Sequence, residues 1–263
     1  MLSRRAAARI ILPMWALPPP QILLEPGSLH IWRASLSLPA GQHERLEALL
    51  SGEEKAQCGR LVRAEDRSRC AASRGLLRVV LAKYLREDPR MLSLTPGTSG
   101  KPSLDHANHP VQFNVSHAED LALVAVTRDC RVGIDIERIR AVPDMEAILD
   151  DFFSREETAC VRSRRGKGRL QAFFHLWTRR EAAAKALGIG LFDCFKRVAL
   201  PTPRRTRSWF RIGLPGSDGP AGQTVDWWMR DLALADGYSG AVCTEQARAK
   251  PLFLTLTTSD LPG

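Results

Sequence analysis

At 263 residues, with 44% apolar and 25% charged side chains, the chain has the composition of a soluble globular protein with length for one large core or two modest ones. No apolar run approaches the ~18 residues that a membrane-spanning helix needs, which excludes that class. The 38 basic residues against 29 acidic ones leave a formal charge of +9, so an anionic partner is expected, whether nucleic acid, a phosphorylated small molecule or an acidic protein.

In chain order, residues 1–25 read as a poorly ordered extension. Arg4 and Arg5 precede a partly apolar run, but Arg9 interrupts it and Pro13 breaks it, and no small-residue cleavage site precedes Pro18. Residues 29–36 alternate as a strand, and residues 44–50 form a short helix. Residues 53–85 are predicted helical and strongly basic, with Leu76, Leu77, Val80, Leu81 and Leu85 as the buried stripe. Most of its arginines read as a solvated face, and a few as phosphate ligands, since the guanidinium fork matches phosphate oxygens. Residues 95–102 are a turn-rich loop that holds Lys101 between Gly100 and Pro102. It lacks the glycine spacing and following helix of a Walker loop.

Residues 112–115 and 121–127 are predicted as two strands, with Ser116 and His117 at the end of the first, and residues 132–137 as the next. Helices are predicted over 143–151 and 155–161, the second opened by a Ser154/Glu157 capping box. Residues 162–169 read as a solvated basic loop. An amphipathic helix over 173–190 follows, and Gly188 and Gly190 stop it. Strands return at 197–200, 208–212, 225–234 and 238–244, and residues 247–263 read as a weakly ordered tail. The six cysteines (Cys58, Cys70, Cys130, Cys160, Cys194, Cys243) are scattered without a C-x-x-C pair and read as reduced core residues. The halves, 26–130 and 131–246, each set helices beside short antiparallel strands. The fold class is therefore α+β, a duplicated unit of two similar halves.

The chemistry concentrates in two segments. Asp135 and Glu137 are two apart on an apolar strand and share a face, where two carboxylates repel unless a cation or proton lies between them. Glu181 and Lys185 are four apart on the 173–190 helix and project from one side. As an isolated feature that is a surface ion pair. Beside the strand pair, Glu181 completes an oxygen-rich magnesium site, since Mg²⁺ takes a few carboxylates, water and substrate phosphate. Ser116 and His117, as strand neighbours, point to opposite faces and make no nucleophile–base pair. His106, His109, His117 and Cys130 lack zinc-site spacing.

Four motifs in register, Gly100-Lys-Pro102, Phe113-Asn-Val-Ser-His117, Val132-Gly-Ile-Asp-Ile-Glu137 and Trp177-Thr-Arg-Arg-Glu-Ala-Ala-Ala-Lys185, resemble the 4′-phosphopantetheinyl transferases of the Sfp type. The likeness covers roughly residues 45–200. It implies a pseudo-twofold pair of α+β halves with the active site between them. The implied activity is transfer of the phosphopantetheine arm of coenzyme A to a serine of an apo carrier protein, with release of adenosine 3′,5′-bisphosphate. Asp135, Glu137 and Glu181 would hold Mg²⁺, and Lys185 would neutralise charge at the pyrophosphate or leaving group. Ser116, His117 and Lys101 would contact coenzyme A, and Arg60, Arg69 and Arg74 its phosphates; Glu181, or a water on the metal, would take the serine proton.

The expected setting is a cytoplasmic monomer serving an acidic acyl or peptidyl carrier protein, with no nucleic acid or membrane partner. A metal-dependent phosphoesterase or nuclease using the same carboxylates is the alternative. The chain departs from the family pattern at Arg180, where lysine is usual, at Ala118, where serine is usual, and at Ala182 and Ala183, which replace larger residues and are expected to widen the pocket or loosen the helix.

Overall fold

The computed structural model describes residues 15–96, 102–104, 109–198, 200, 208–215, 224–246 and 249–261. The first half runs β1 (Leu29–Ser35), α1 (Ala40–Ala48), α2 (Gly52–Gly59), α3 (Ala64–Leu85), the small hairpin β2 (Leu94–Pro96) and β3 (Pro102–Leu104), then β4 (Val111–Ala118) and β5 (Leu121–Arg128). The second runs β6 (Val132–Arg138), α4 (Met145–Phe152), α5 (Arg155–Arg162), α6 (Gly166–Leu187), α7 (Leu191–Arg197), β7 (Phe210–Pro215), β8 (Thr224–Asp231) and β9 (Tyr238–Thr244). β10 (Pro251–Thr255) and a 3-10 turn (Thr258–Asp260) follow.

Each half is a strand, then helices that include one of 22 residues, then returning strands, β2 to β5 in the first and β7 to β9 in the second. The first strand pairs antiparallel with the last in each, β1 with β5 and β6 with β9. The sheet orders are β10-β1-β5-β4 and β6-β9-β8-β7. The fold is thus α+β with two similar halves. A core of β1, β5, β6 and β9 side chains, among them Ile31, Ala125, Ile134 and Val242, joins the two sheets.

Local chemistry explains the helix ends. α2 and α5 each open on a capping box, Ser51 with Glu54 and Ser154 with Glu157. α6 stops because Gly188 adopts φ 70°, a left-handed conformation that costs glycine nothing.

Several expectations are corrected. The basic stretch 53–85 is two helices: the chain breaks after Gly59, where Arg67 Nη1 donates to the carbonyls of Leu61 and Val62 at 2.9 Å. Its arginines are mostly exposed or half-buried, as expected, and Arg78, 2% exposed, is the exception. Where a strand is expected from residue 197, Leu191, Cys194 and Val198 recur at helical spacing, so α7 runs to Arg197 and is capped by Val198. The basic loop 162–169 is largely helix. Residues 162–167 are exposed, as expected of a solvated stretch, with Arg162 paired to Glu146 and Asp150 and Arg169 to Glu146.

The tail expected over 247–263 contains an integral strand, β10, which pairs in parallel with β1 from Leu29↔Pro251 to Arg33↔Thr255. Its Phe253 and Leu254 fill the core, so the segment is fixed by burial. The extension expected over 1–25 is likewise held from Trp15 onward. Ala16 exchanges backbone hydrogen bonds with Phe253 and Thr255, and the Trp15 ring meets Phe253 edge-on at 5.0 Å; residues 1–14 lie outside the described residues. Cys58 on α2 and Cys70 on α3 are joined in a disulfide rather than reduced. Helix packing brings them together across 12 positions of sequence, a spacing that carries no motif.

Candidate active site

A cleft of about 540 Å³ opens between the halves, walled by α3, β4, β6 and α6. It forms where β4 and β6, the facing edges of the two sheets, are joined by β4 side chains reaching the β6 backbone. Asn114 Oδ1 accepts from Ile134 N–H at 2.7 Å, and Ser116 Oγ accepts from Ile136 N–H at 3.4 Å. On its helical side β6 is pressed against α6: a Cβ built on Gly133 would lie 2.1 Å from the Ala182 carbonyl and 2.4 Å from Ala186 N. Ala182 and Ala183 are fully buried on a helix that lies this close to the strand, contrary to the looser packing expected of them.

This close packing lowers the chemistry of α6 onto that of β6. Asp135 is 3% exposed, and its Oδ1 accepts from Ser116 Oγ at 2.9 Å and Lys185 Nζ at 2.7 Å. Lys185 Nζ also donates to Ser116 Oγ at 3.0 Å. The second Asp135 oxygen, Oδ2, is buried with no hydrogen-bond partner. Glu137 and Glu181 line the same cleft.

Burial raises the pKa of Asp135 above the usual carboxylate range, against the pull of Lys185 and its hydrogen bonds. Glu137 is pushed up to about 7 by burial and then by the Asp135 charge, with Lys185 and Arg140 opposing and Glu181 adding a smaller push. Glu181 is raised by burial and by Asp135, with Lys185 opposing. The acids feel one another's charge, as carboxylates sharing a site do.

Among the described residues, no three acidic, histidine or cysteine side chains are already gathered as a finished cation cage. The donor set nevertheless fits a hard divalent ion that completes its shell from substrate and water. A buried carboxylate oxygen without a partner is costly, and a cation bound at Asp135 would satisfy it.

The comparisons with known proteins decide the family. The model of the 4′-phosphopantetheinyl transferase superfamily matches residues 131–243, and that of the 4′-phosphopantetheinyl transferase N-terminal region matches 37–129. The 4′-phosphopantetheinyl transferase HetI of Nostoc sp. is 36% identical over 179 residues, 67% of this chain and 76% of that protein. The chain belongs to the 4′-phosphopantetheinyl transferases. The transferase ffp of Bacillus subtilis is 27% identical over 230 residues, 86% of this chain and 94% of its own length. The human L-aminoadipate-semialdehyde dehydrogenase-phosphopantetheinyl transferase is 32% identical over 149 residues, 53% of this chain and 48% of its own. The protein is accordingly an enzyme that transfers phosphopantetheine to carrier proteins.

The transferase cleft gathers Ser116, His117, Asp135, Glu137, Glu181 and Lys185, with Arg74 on the opposing α3 wall. His117 is exposed at the rim. The cleft walls still desolvate its ring, and with Lys185, Arg69 and Arg74 nearby its pKa falls below the ordinary histidine value. Arg74 Nη2 donates to Gln57 Oε1 at 2.8 Å, and its Nη1 stands 3.9 Å from Glu54 Oε1. Arg69 lies beside the cleft, 3.4 Å from Asp120. Arg60 is the exposed cap of α2 and does not line the cleft. Lys101 lies outside the described residues.

Sequence reasoning missed Glu54 and Asn114. Glu54, 5% exposed, reaches from the α2 capping box to Arg78 Nε at 2.8 Å and fixes the wall that carries Arg74. Its signal was the Ser51-x-x-Glu54 spacing; that of Asn114 was its place two residues before Ser116 on one strand face.

Proposed function

We propose that this transferase moves the 4′-phosphopantetheine arm of coenzyme A onto a serine hydroxyl of an apo acyl or peptidyl carrier protein, with Mg²⁺ at Asp135, Glu137 and Glu181. The observation that supports this best is Asp135, buried, with one oxygen held by Lys185 and Ser116 and the other bare in a cleft shared with two further acids. When bound, Mg²⁺ supplies charge neutralisation at the pyrophosphate.

The chain's own groups do the rest. The serine oxygen forms its bond to the β-phosphorus, and the bond from that phosphorus to the bridging oxygen breaks, releasing adenosine 3′,5′-bisphosphate. Glu181, made more basic by burial and by Asp135, accepts the hydroxyl proton. Lys185, between Asp135 and Ser116, supplies positive charge as the leaving group becomes an anion. Ser116 and His117 contact coenzyme A and Arg74 its phosphates, with Arg69 and Arg60 further out, and Lys101 is given a coenzyme A contact by its Gly100-Lys-Pro102 motif alone. The formal charge of +9 suits an acidic carrier, through complementary potentials that raise the association rate. The working form is a cytoplasmic monomer with no nucleic-acid or membrane partner. No helix among the described residues is long and apolar enough to cross a membrane.

Incubation with coenzyme A, Mg²⁺ and a panel of apo carriers, followed by mass spectrometry, tests the reading. The expected result is a phosphopantetheine mass gain on at least one carrier. Asp135→Ala, still folded by circular dichroism, should lose that gain by a factor of ~10² or more. Full activity in Asp135→Ala, or no carrier modified by wild type, overturns it.

A further inference from the structure

We infer that Asn114 is a positioning residue for this reaction, acting across the joint between the halves to set Asp135. The inference rests on the metal site proposed above.

β6 is the edge of its sheet, paired on one side with β9. Its other side faces β4, and there Ile134 and Ile136, at 0% and 1% exposure, cannot reach water. A buried backbone N–H without a partner is destabilising, because it gives up its hydrogen bond to water and gains none in return. β4 meets this need with side chains. Asn114 and Ser116 sit two apart on one face, 3% and 7% exposed, and bond the N–H groups of Ile134 and Ile136 at 2.7 and 3.4 Å.

The two bonds do unequal work. The Ser116 contact is long, and its hydroxyl is also engaged with Asp135 Oδ1 and Lys185 Nζ. The short Asn114 bond is therefore the one that fixes the register of β6 against β4. Asp135 is the residue immediately after Ile134. With that backbone fixed, the carboxylate sits under Ser116 and Lys185 with Oδ1 held and Oδ2 left free. Asn114 has no role in binding the carrier or in proton transfer on this account. Its effect is transmitted through one peptide unit.

The test uses full-length Asn114→Ala, Asn114→Asp and Asp135→Ala. Mn²⁺ affinity is read by electron paramagnetic resonance, β6 protection by hydrogen exchange and mass spectrometry, and stability by thermal unfolding. Asn114→Ala should weaken Mn²⁺ binding tenfold or more, the scale of lost outer-shell support, and deprotect the peptide spanning Ile134. Asn114→Asp keeps an acceptor oxygen and should restore that protection. A merely structural residue would lower the unfolding midpoint without changing the Mn²⁺ affinity of the folded protein.

Should Asn114→Ala fail to fold, Asn114→Ser, whose hydroxyl falls short of the Ile134 amide, carries the same expectation. Mn²⁺ affinity within twofold of wild type in the folded variant overturns the inference. If Asp135→Ala itself binds Mn²⁺ normally and stays active, the metal assignment fails instead. If Asp135→Ala loses the ion and Asn114→Ala does not, only the role of Asn114 is lost.

Discussion

The two halves share one plan and differ in what fills the space between helix and strand. α3 and α6 are each 22 residues long and end on a left-handed residue, Arg86 or Gly188. The fifteenth residue of each, Arg78 or Arg180, is buried against the capping-box glutamate of the preceding helix, Glu54 or Glu157. The strands diverge. In the first half the second and fourth residues of β1, His30 and Trp32, both hydrogen-bond the Tyr84 hydroxyl of α3, at 2.9 and 2.8 Å. In the second half those places on β6 are Gly133 and Asp135. Three large side chains fill the first space. In the second, the helix backbone rests on the strand, and Lys185 reaches Asp135. Even the lysines diverge from one position: Lys83 holds Asp260 in the C-terminal turn, and Lys185 holds Asp135 in the cleft. One half is a filled core, and its counterpart opens onto the cleft where bulk is removed and carboxylates are let in.

The largest expected effect tests whether the shared plan is energetically shared. Arg78→Met and Arg180→Met each strand a buried glutamate, and each should lose about 3–5 kcal/mol in urea unfolding. A pair of losses more than ~2 kcal/mol apart would break the equivalence of the two devices. The next effect tests the divergence. Gly133→Ala places its methyl on backbone atoms of Ala182 and Ala186, which cannot step aside as a flexible side chain can. The expected loss is more than about 3 kcal/mol, together with loss of transfer. Gly168→Ala, on the same α6, meets nothing within 4 Å and should shift stability by less than about 1 kcal/mol. Equal effects would mean that close packing of α6 on β6 is not what sets the site.

These contrasts also mark what the sequence made legible. Strong periodicity placed β4, β5, β6, β9 and most of α6, because alternation and helical spacing are local signals. The carboxylates and Lys185 were visible as motifs on those elements, and the cleft does collect them. β10 was invisible because a five-residue strand pairing in parallel with a segment more than 200 residues away leaves no local trace. Arg78 and Arg180 could not be told from solvated arginines, since their partners come from a different helix. Ala182 and Ala183 were misread because the size of a side chain says nothing about how near its neighbour's backbone stands. The disulfide has no counterpart in the second half, where α5 and α6 pack through apolar side chains such as Val161 and Ala172. Nothing in residue spacing distinguishes those two solutions.

The smallest effect concerns the filled core and is read as a difference between two proteins. Burial pushes the His30 pKa down from 6.5 to about 4, since a ring packed out of water against the Tyr84 hydroxyl loses the hydration that favours its charged form. A depressed histidine contributes stability that is fully present above pH 6.5. As pH falls the unfolded chain takes up the proton first, so the contribution drains away between pH 6.5 and 4, at most roughly 3 kcal/mol. The raised carboxylates of the cleft titrate in an overlapping range with the opposite sign and blur any single curve. Comparison with His30→Gln, which keeps a hydrogen-bonding group near Tyr84 but cannot titrate, removes that background, since the cleft acids are common to both. Wild type should lose stability relative to the variant on going from pH 7 to pH 4 in thermal unfolding. A constant difference across that range would show that the first half does not hold its histidine neutral, and the contrast between a sealed half and an ionisable one would fail there.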